Sequence, residues 1–397
     1  PGLRTWGLSA TLGNLDAALA ALVGAVGTGR VVRGHVPKPI TVDAVLPPRV
    51  ERFPWAGHLG LSLLPQVVAA IDEGRTALLF TNTRAACEQW YQALLDARPE
   101  WAGAVALHHG SIDRKTRDWV EDGLRAGTLR CVVCTSTLDL GVDFAPVDRV
   151  LQVGSPKGVA RLLQRAGRSG HRPGETSRVT CVPTHTFELI EVAAARTAAE
   201  AGAVEGRDPV SKPLDVLAQH CVSSALAGGF RAADLLAEVR TAHTYRDLSD
   251  PEWAWVLDFV TRGGEALKAY PDYRRVEVSD GLYAVTDARL ARRHRLSIGT
   301  ITSEASVLVR YLRGPKIGTV DESFAARLKP GDRFAFAGRT LEFVKLYEMT
   351  VWARLARGEA NTRPRWSGSR MSLSGELAAA VRAELDVAAR GAFAGPE

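Results

Sequence analysis

The chain has 397 residues, 46% of them hydrophobic and 24% charged, which is typical of a globular protein with two to four domains. It shows no run of 18 apolar residues and no basic segment followed by an apolar block at its start, so neither a transmembrane helix nor a signal peptide is predicted. The net charge of +6 is compatible with a polyanionic partner, and only five cysteines predict a reducing cytoplasm rather than a disulfide framework.

Short β-rich runs alternate with amphipathic helical segments up to about residue 200. The predicted strands are residues 3–9, 41–46, 76–81, 104–107, 130–134, 149–153 and 177–182, and helical segments include 59–73, 84–97, 114–126 and 158–166. This alternation predicts an α/β fold with a doubly wound parallel sheet. A proline-rich stretch after residue 36 divides it, so we interpret residues 1–36 as the end of one α/β domain and 37–205 as a complete second one.

The second half of the chain has a different pattern. Helical segments between residues 214 and 262 precede two short strands around Asp280-Gly281, a strong hairpin signal, and together they predict a winged-helix domain over residues 206–290. Residues 291–397 show short strands separated by glycine and proline turns, which predicts a small β-barrel-like domain with a terminal helix.

Polar segments follow several of the predicted strands. Ser9, Ala10 and Thr11 follow the first, and a Ser-Ala-Thr sequence is common by chance. Four residues lie at the end of the predicted strand 76–81 and at the start of the next helix: Thr81, Asn82, Thr83 and Arg84. Their side chains, together with the N-terminus of that helix, could bind a phosphate. An ordinary helix cap by Thr83 or Asn82 is the alternative.

His109 and Gly110 follow the next strand. A metal site is not predicted there, because neighbouring cysteine, histidine or aspartate ligands are lacking. The segment is either a further nucleic-acid contact or a plain turn in which Ser111 opens the following helix.

The segment after residue 134 resembles motif V of superfamily 2 helicases, and this resemblance implies contacts with both nucleic acid and nucleotide. The alternative is an ordinary strand–loop–helix connection capped by Thr or Ser. Thr135 and Ser136 would hold a backbone phosphate, whereas Gly141 and Asp143 would face the nucleotide. Cys131 and Cys134 form a CxxC sequence, but along a strand they point to opposite faces and cannot readily chelate a metal or pair.

Residues 164–171, with the sequence Gln-Arg-Ala-Gly-Arg-Ser-Gly-His, lie at a predicted helix end. Arginines stay charged and match phosphate geometry, so Arg165 and Arg168 are candidates to stabilise phosphoryl transfer. The segment resembles motif VI of superfamily 2 helicases, and this resemblance implies that Gln164 and His171 are further nucleotide contacts. Taken alone, such a segment could equally be a basic, solvated helix end.

In order and spacing, these segments resemble motifs III, IV, V and VI of superfamily 2 helicases, at the strand ends where open α/β sheets bind ligands. The final His171, the segment 212–219 and the turns near residues 318–324 and 328–334 are similar to the large helicase-related (Lhr) family, in particular its ligase-associated branch. The resemblance covers nearly the whole chain. It implies a RecA-like sheet, ATP-driven 3′→5′ movement on DNA and a function in DNA repair.

The resemblance also implies cofactors and partners. ATP with Mg²⁺ is expected, but the sequence contains no Gly-Lys dipeptide and no Asp-Glu-x-His, so we expect the Mg²⁺ ligands in a missing N-terminal half and no ATP hydrolysis by this chain alone. Expected partners are single-stranded DNA or a duplex with a 3′ tail; an RNA–DNA hybrid and a DNA ligase or nuclease stay open. No membrane partner is expected.

Two assignments are left with alternatives. Arg168 is the stronger candidate for the catalytic arginine, because Arg165 could instead anchor the helix through an ion pair. Trp366 could stack on an unpaired base, although a core position is more common for tryptophan. The competing functions are a nucleic-acid-binding module without motor activity and an RNA helicase of the same architecture.

Overall fold

The computed structural model describes residues 4–9, 11–25, 27–34, 39–46, 60–139, 147–170, 176–263, 274–301, 306–364, 366, 372–392 and 395–396. They form two compact units: unit A consists of residues 35–205 and 304–397, and unit B of residues 1–34 and 206–303. Within the described part of the chain, every helix is too short or too polar to cross a membrane.

In chain order, the helices are α1 (Leu15–Val23), α2 (Leu64–Asp72), α3 (Arg84–Ala97), α4 (Arg114–Ala126), α5 (Val159–Ala166), α6 (Thr186–Glu200), α7 (Leu214–Leu226), α8 (Ala232–Val239), α9 (Asp250–Arg262), α10 (Ala288–Arg295), α11 (Glu322–Ala325) and α12 (Gly375–Ala389). The strands are β1 (Ile40–Ala44), β2 (Ala77–Phe80), β3 (Val105–His108), β4 (Cys131–Cys134), β5 (Arg149–Val153), β6 (Ser177–Val182), β7 (Phe230–Arg231), β8 (Glu277–Ser279), β9 (Leu282–Ala284), β10 (Ser306–Tyr311), β11 (Lys316–Asp321), β12 (Arg333–Phe336), β13 (Arg339–Tyr347) and β14 (Thr350–Leu355).

The main element of unit A is a six-stranded parallel sheet with the order β1-β6-β5-β2-β4-β3. Its central strands are continuous apolar runs because helices cover both faces. Helices α2 and α3 pack on one face, and α4, α5, α6 and α12 on the other. Cys131 lies in the core of the first face and Cys134 in that of the second, which confirms that they point apart.

Unit A also contains a five-stranded mixed sheet with the order β11-β10-β14-β13-β12. Strands β10 and β14 pair in parallel and the other pairs are antiparallel. Alternating inward residues, among them Phe334, Phe336 and Val351, form its core. This sheet forms the core of the predicted C-terminal β-domain, and it belongs to the same unit as the six-stranded parallel sheet.

Unit B contains a three-stranded sheet (β7-β9-β8) packed on helices α7, α8 and α9. The predicted turn is present: Asp280 and Gly281 both have positive φ, at +50° and +73°, as a two-residue hairpin turn requires. Ser249 and Glu252 form a capping box that starts α9. Helices and hairpin therefore build the predicted winged helix.

Two local predictions were wrong. Residues 4–9 form no strand, and Trp6 and Leu8 are 81% and 95% exposed, because no strand among the described residues lies beside them to supply ladder hydrogen bonds. Ser111 does not start α4. Asp113 is its N-cap, accepting from the Lys115 backbone N–H at 3.1 Å, while the Ser111 carbonyl accepts from Thr319 N at 2.8 Å.

Candidate nucleotide and nucleic-acid site

The carboxyl ends of the parallel strands bring three of the predicted segments to one edge of the sheet. Thr81 follows β2, His109 follows β3 and Thr135 follows β4, and these strands are neighbours. The backbone ties them together, since Thr81 N donates to Cys134 O at 2.8 Å and Thr135 N donates to His108 O at 3.2 Å. This edge is where open α/β sheets bind ligands.

Arg165 lies inside the protein, with only 1% of its surface exposed. Its Nε donates to Asp139 Oδ1 at 2.8 Å, its Nη2 lies 3.3 Å from Asp139 Oδ2, and its Nη1 donates to the side-chain oxygen of Gln152. The guanidinium also lies 4.7 Å from the centre of the Phe80 ring. With all these partners it anchors the end of α5, and this geometry favours the anchor alternative over contact with a nucleotide.

Arg168 lies just beyond the end of α5. Its backbone N–H donates to Arg165 O at 2.9 Å, and its carbonyl accepts from Val147 N at 3.3 Å, so the backbone on both sides of the side chain is held. Burial lowers the pKa of the Arg168 guanidinium, and the charge of Asp139 opposes that effect. Gln164 is half-buried on the same helix, whereas His171 lies outside the described residues.

The two residues after Arg168 hold the turn in shape. Ser169 is buried; its hydroxyl donates to Ala166 O at 2.9 Å and accepts from Arg178 N at 2.8 Å. Gly170 has φ of +61°, and a Cβ there would lie 2.6 Å from Thr176 O. The Ser-Gly pair therefore joins the end of α5 to β6.

The segment after β2 is mostly engaged in local structure. The buried Thr81 hydroxyl lies 3.1 Å from Thr83 O and 3.3 Å from Cys134 O. Thr83 caps α3 by accepting from Ala86 N at 3.1 Å, and Asn82 Nδ2 donates to Ser155 O at 2.7 Å. The other polar side-chain atom of Asn82, Oδ1, is buried without a hydrogen-bond partner among the described residues.

The segment after β4 divides between interior and surface. Thr135 is buried, whereas Ser136 is exposed at the start of a short 3-10 turn. Asp139, which we did not single out in the sequence, is the carboxylate that holds Arg165. The predicted nucleotide contacts Gly141 and Asp143 lie outside the described residues.

His109 has no exposed surface. Its Nδ1 accepts from Ser111 N at 3.3 Å and its Nε2 lies 3.2 Å from Glu88 Oε1. The Glu88 carboxylate also accepts from the backbone N–H groups of Ala337 (2.7 Å) and Gly338 (3.0 Å) in the β12–β13 turn. His109 thus faces the five-stranded sheet, whereas Gly110 is exposed. The nucleic-acid contact of this segment stays a prediction beside the plain-turn alternative.

Trp366 is half-buried in the same interface. Its ring centre lies 5.8 Å from that of His109 and 6.3 Å from that of Phe336, and the Arg84 guanidinium lies 5.9 Å away. These contacts favour the packing alternative for Trp366, and base stacking by it stays a prediction. Glu88 could not have been found from the sequence, because its partners lie about 250 residues away.

The resemblance of Ser9, Ala10 and Thr11 to motif III implies that they link the ATP state to nucleic-acid binding, and Ser9 and Thr11 belong to unit B. Ser9 is exposed and Thr11 is half-buried, whereas Ala10 lies outside the described residues. Asn14, which follows, accepts from Arg207 N at 2.8 Å through Oδ1 and donates to Arg207 O at 3.0 Å through Nδ2.

Two family models match the chain. The winged helix domain of "Large helicase-related protein" matches residues 197–363, and the "Helicase conserved C-terminal domain" matches residues 61–173. The chain is 34% identical to ATP-dependent helicase Lhr-Core protein 2 of Thermococcus barophilus, over 82% of this chain and 38% of that protein. It is 31% identical to ATP-dependent helicase Lhr-Core of Sulfolobus acidocaldarius, over 93% and 42% respectively.

Among solved structures, helicase Lhr of Mycobacterium smegmatis, bound to single-stranded DNA and AMP-PNP, is similar with a TM-score of 0.65. The identity is 28%, and the match covers 75% of this chain and 39% of that one. The chain thus spans about two fifths of the length of these three proteins. These matches confirm the predicted RecA-like sheet and winged helix, whereas the ligase-associated branch stays a prediction.

Proposed function

We propose that this chain, which belongs to the Lhr-type superfamily 2 helicases, completes the ATP site and the DNA-binding surface of an ATP-dependent DNA helicase. In this proposal it moves 3′→5′ on single-stranded DNA and acts in DNA repair. A P-loop-bearing RecA-like domain supplies the other half of the ATP site and the Mg²⁺ ligands.

The Arg165 network is the observation that carries the proposal. Asp139 and Gln152 fix Arg165, and with it the end of the helix from which Arg168 extends. A partly desolvated guanidinium suits a polyphosphate, because arginine remains charged and burial has already removed part of its hydration before the ligand binds. Bound ATP supplies the phosphoryl group. Arg168 stabilises the negative charge on its oxygens, and Arg165 holds Arg168 in place.

The surface of unit B supports nucleic-acid binding. Helix α10 presents exposed arginines along its length: Arg289, Arg292, Arg293 and Arg295. Such side chains neutralise backbone phosphates and release counterions, which makes binding salt-sensitive. They do not distinguish DNA from RNA, and the choice of DNA rests on the likeness to Lhr.

ATP hydrolysis by a protein that joins this chain to a P-loop-bearing RecA-like domain tests the proposal. We expect Arg168→Ala to lower single-strand-stimulated hydrolysis by about 10³-fold, the scale of an arginine finger, with single-strand affinity retained. Arg125→Ala, which removes an exposed arginine on α4, is the matched control and should leave hydrolysis unchanged. Full hydrolysis in the Arg168 variant would overturn the assignment, and absence of single-strand binding at low salt would overturn the function.

A further inference from the structure

The chain passes from unit A to unit B between Glu205 and Gly206. On the unit A side, the Glu205 carboxylate accepts three hydrogen bonds, each 2.6 Å long: Oε1 from Val159 N and from the Ser374 hydroxyl, and Oε2 from Ala160 N. The two backbone donors are the first residues of α5, the helix that ends at Arg165 and Arg168. The last residue of unit A is therefore attached to the start of the helix that carries the candidate ATP-site arginines.

The carboxylate is well suited to this position. Free N–H groups and the positive end of the helix dipole favour an anion at the N-terminus of α5. Burial acts to raise the pKa of Glu205, but the hydrogen bonds from Ser374, Ala160 and Val159 outweigh it, so the pKa lies below its usual value and the group is ionised at neutral pH. The approach is also close, since a Cβ on Gly158 would lie 2.8 Å from Glu205 Oε1.

On the unit B side, the chain is attached again within two residues. Asn14 makes the paired hydrogen bonds with the Arg207 backbone, and a Cβ on Gly206 would lie 3.0 Å from Asn14 Cγ. Asn14 follows the segment that contains Ser9 and Thr11, which resembles the coupling motif III. The chain is thus held on each side of the junction within its own unit, by α5 before it and by Asn14 after it.

We propose that Glu205 is a positioning residue that transmits nucleic-acid binding to the ATP site by coupling the connection between the units to α5. The inference rests on the proposed function and concerns how nucleic-acid binding regulates ATP hydrolysis. Because α5 has eight residues and is only about 12 Å long, a displacement of its first turn is carried to Arg165 and Arg168 at its end. Glu205 itself touches neither nucleotide nor nucleic acid.

Amide hydrogen exchange in the chain of residues 1–397 tests the coupling without any ATP hydrolysis. We expect single-stranded DNA to change the exchange rates of residues 159–168 in the unaltered chain, and this response to disappear in Glu205→Ala, whereas DNA affinity stays the same. Asp113→Ala is the matched control, because it removes another carboxylate helix cap in unit A that is not attached to the connection. An unaltered response in Glu205→Ala would overturn the inference, whereas failure of the unaltered chain to bind DNA would overturn the proposed function.

A second variant and a second readout keep the test independent of folding defects. In the protein with a P-loop-bearing domain, the ratio of DNA-stimulated to basal ATP hydrolysis should fall at least about fivefold in Glu205→Ala, the lower end of ordinary coupling between two sites. Glu205→Asp, which can still cap α5, should restore part of it. Asn14→Ala should lower the same ratio, and the double variant should lose no more than the larger single loss. Strictly additive losses would show that the two contacts act separately.

Discussion

Replacement of Asp139 by asparagine tests whether Arg165 is an anchor. The change keeps the shape of the side chain and removes the charge that faces a fully buried guanidinium. Breaking a buried ion pair from one side costs about 3–5 kcal/mol, because the remaining charge is left uncompensated. Gln152 and the face of Phe80 remain as partners of Arg165, so we expect a value near the lower limit.

Amide hydrogen exchange at β4 and β5 measures the loss of stability in unit A alone. A local measurement is needed because the two units need not unfold together. Asp122→Asn is the matched control, since it breaks an aspartate–arginine pair on the exposed surface of α4, where such pairs contribute little. Combined replacement of Asp139 by leucine and Arg165 by methionine should recover most of the stability, because the pair is then removed as a whole. Equal effects of Asp139→Asn and Asp122→Asn would refute the anchor function.

Three further predictions concern other contacts of unit A. Gly318→Ala should detach β11 from residues 111–113, which follow β3, because the added Cβ would lie 2.0 Å from Ser111 O; faster amide exchange at Thr319 would show it, and an unchanged rate would contradict it. Thr83→Ala should lower the free energy of unfolding by about 1 kcal/mol through loss of the α3 cap, measured by exchange along α3, with Thr83→Ser as the control that keeps the cap. Burial lowers the pKa of His108 below its unfolded value, so stability should decrease as the pH falls below about 6.5, and urea unfolding at pH 7 and pH 5.5 should show a smaller decrease in His108→Gln.

Local sequence signals predicted the positions of most elements of unit A. Strands β5 and β6 have the bounds expected from their apolar runs. The predicted bounds of α3 and α4 also agree; Thr83 caps α3 as one of the predicted alternatives, whereas α4 is capped by Asp113 and not by Ser111. These signals are short in sequence, which is why a single sequence was sufficient.

Contacts between distant segments could not be predicted in this way. The sequence placed His109 either in a nucleic-acid contact or in a plain turn and did not single out Glu88, and only the fold shows that Glu88 joins His109 to the β12–β13 turn. The same applies to Glu205, whose acceptor function depends on α5 and on Ser374, 169 residues further along the chain. Neither arrangement has a periodicity or a motif, because each joins a single side chain to backbone groups elsewhere.

The spacing of the two arginines explains how one motif can hold two different functions. Residues three apart on an uninterrupted helix share a face, so Arg165 and Arg168 would both point into the core if α5 continued. The helix instead ends at Ala166, and Gly167 and the Ser169–Gly170 turn lead the chain away toward β6. Arg165 is left inside with Asp139, while Arg168 emerges half-buried beyond the helix end. The glycines and serine of the motif are therefore needed as much as its arginines, because without the turn Arg168 would compete with Arg165 for the same carboxylate.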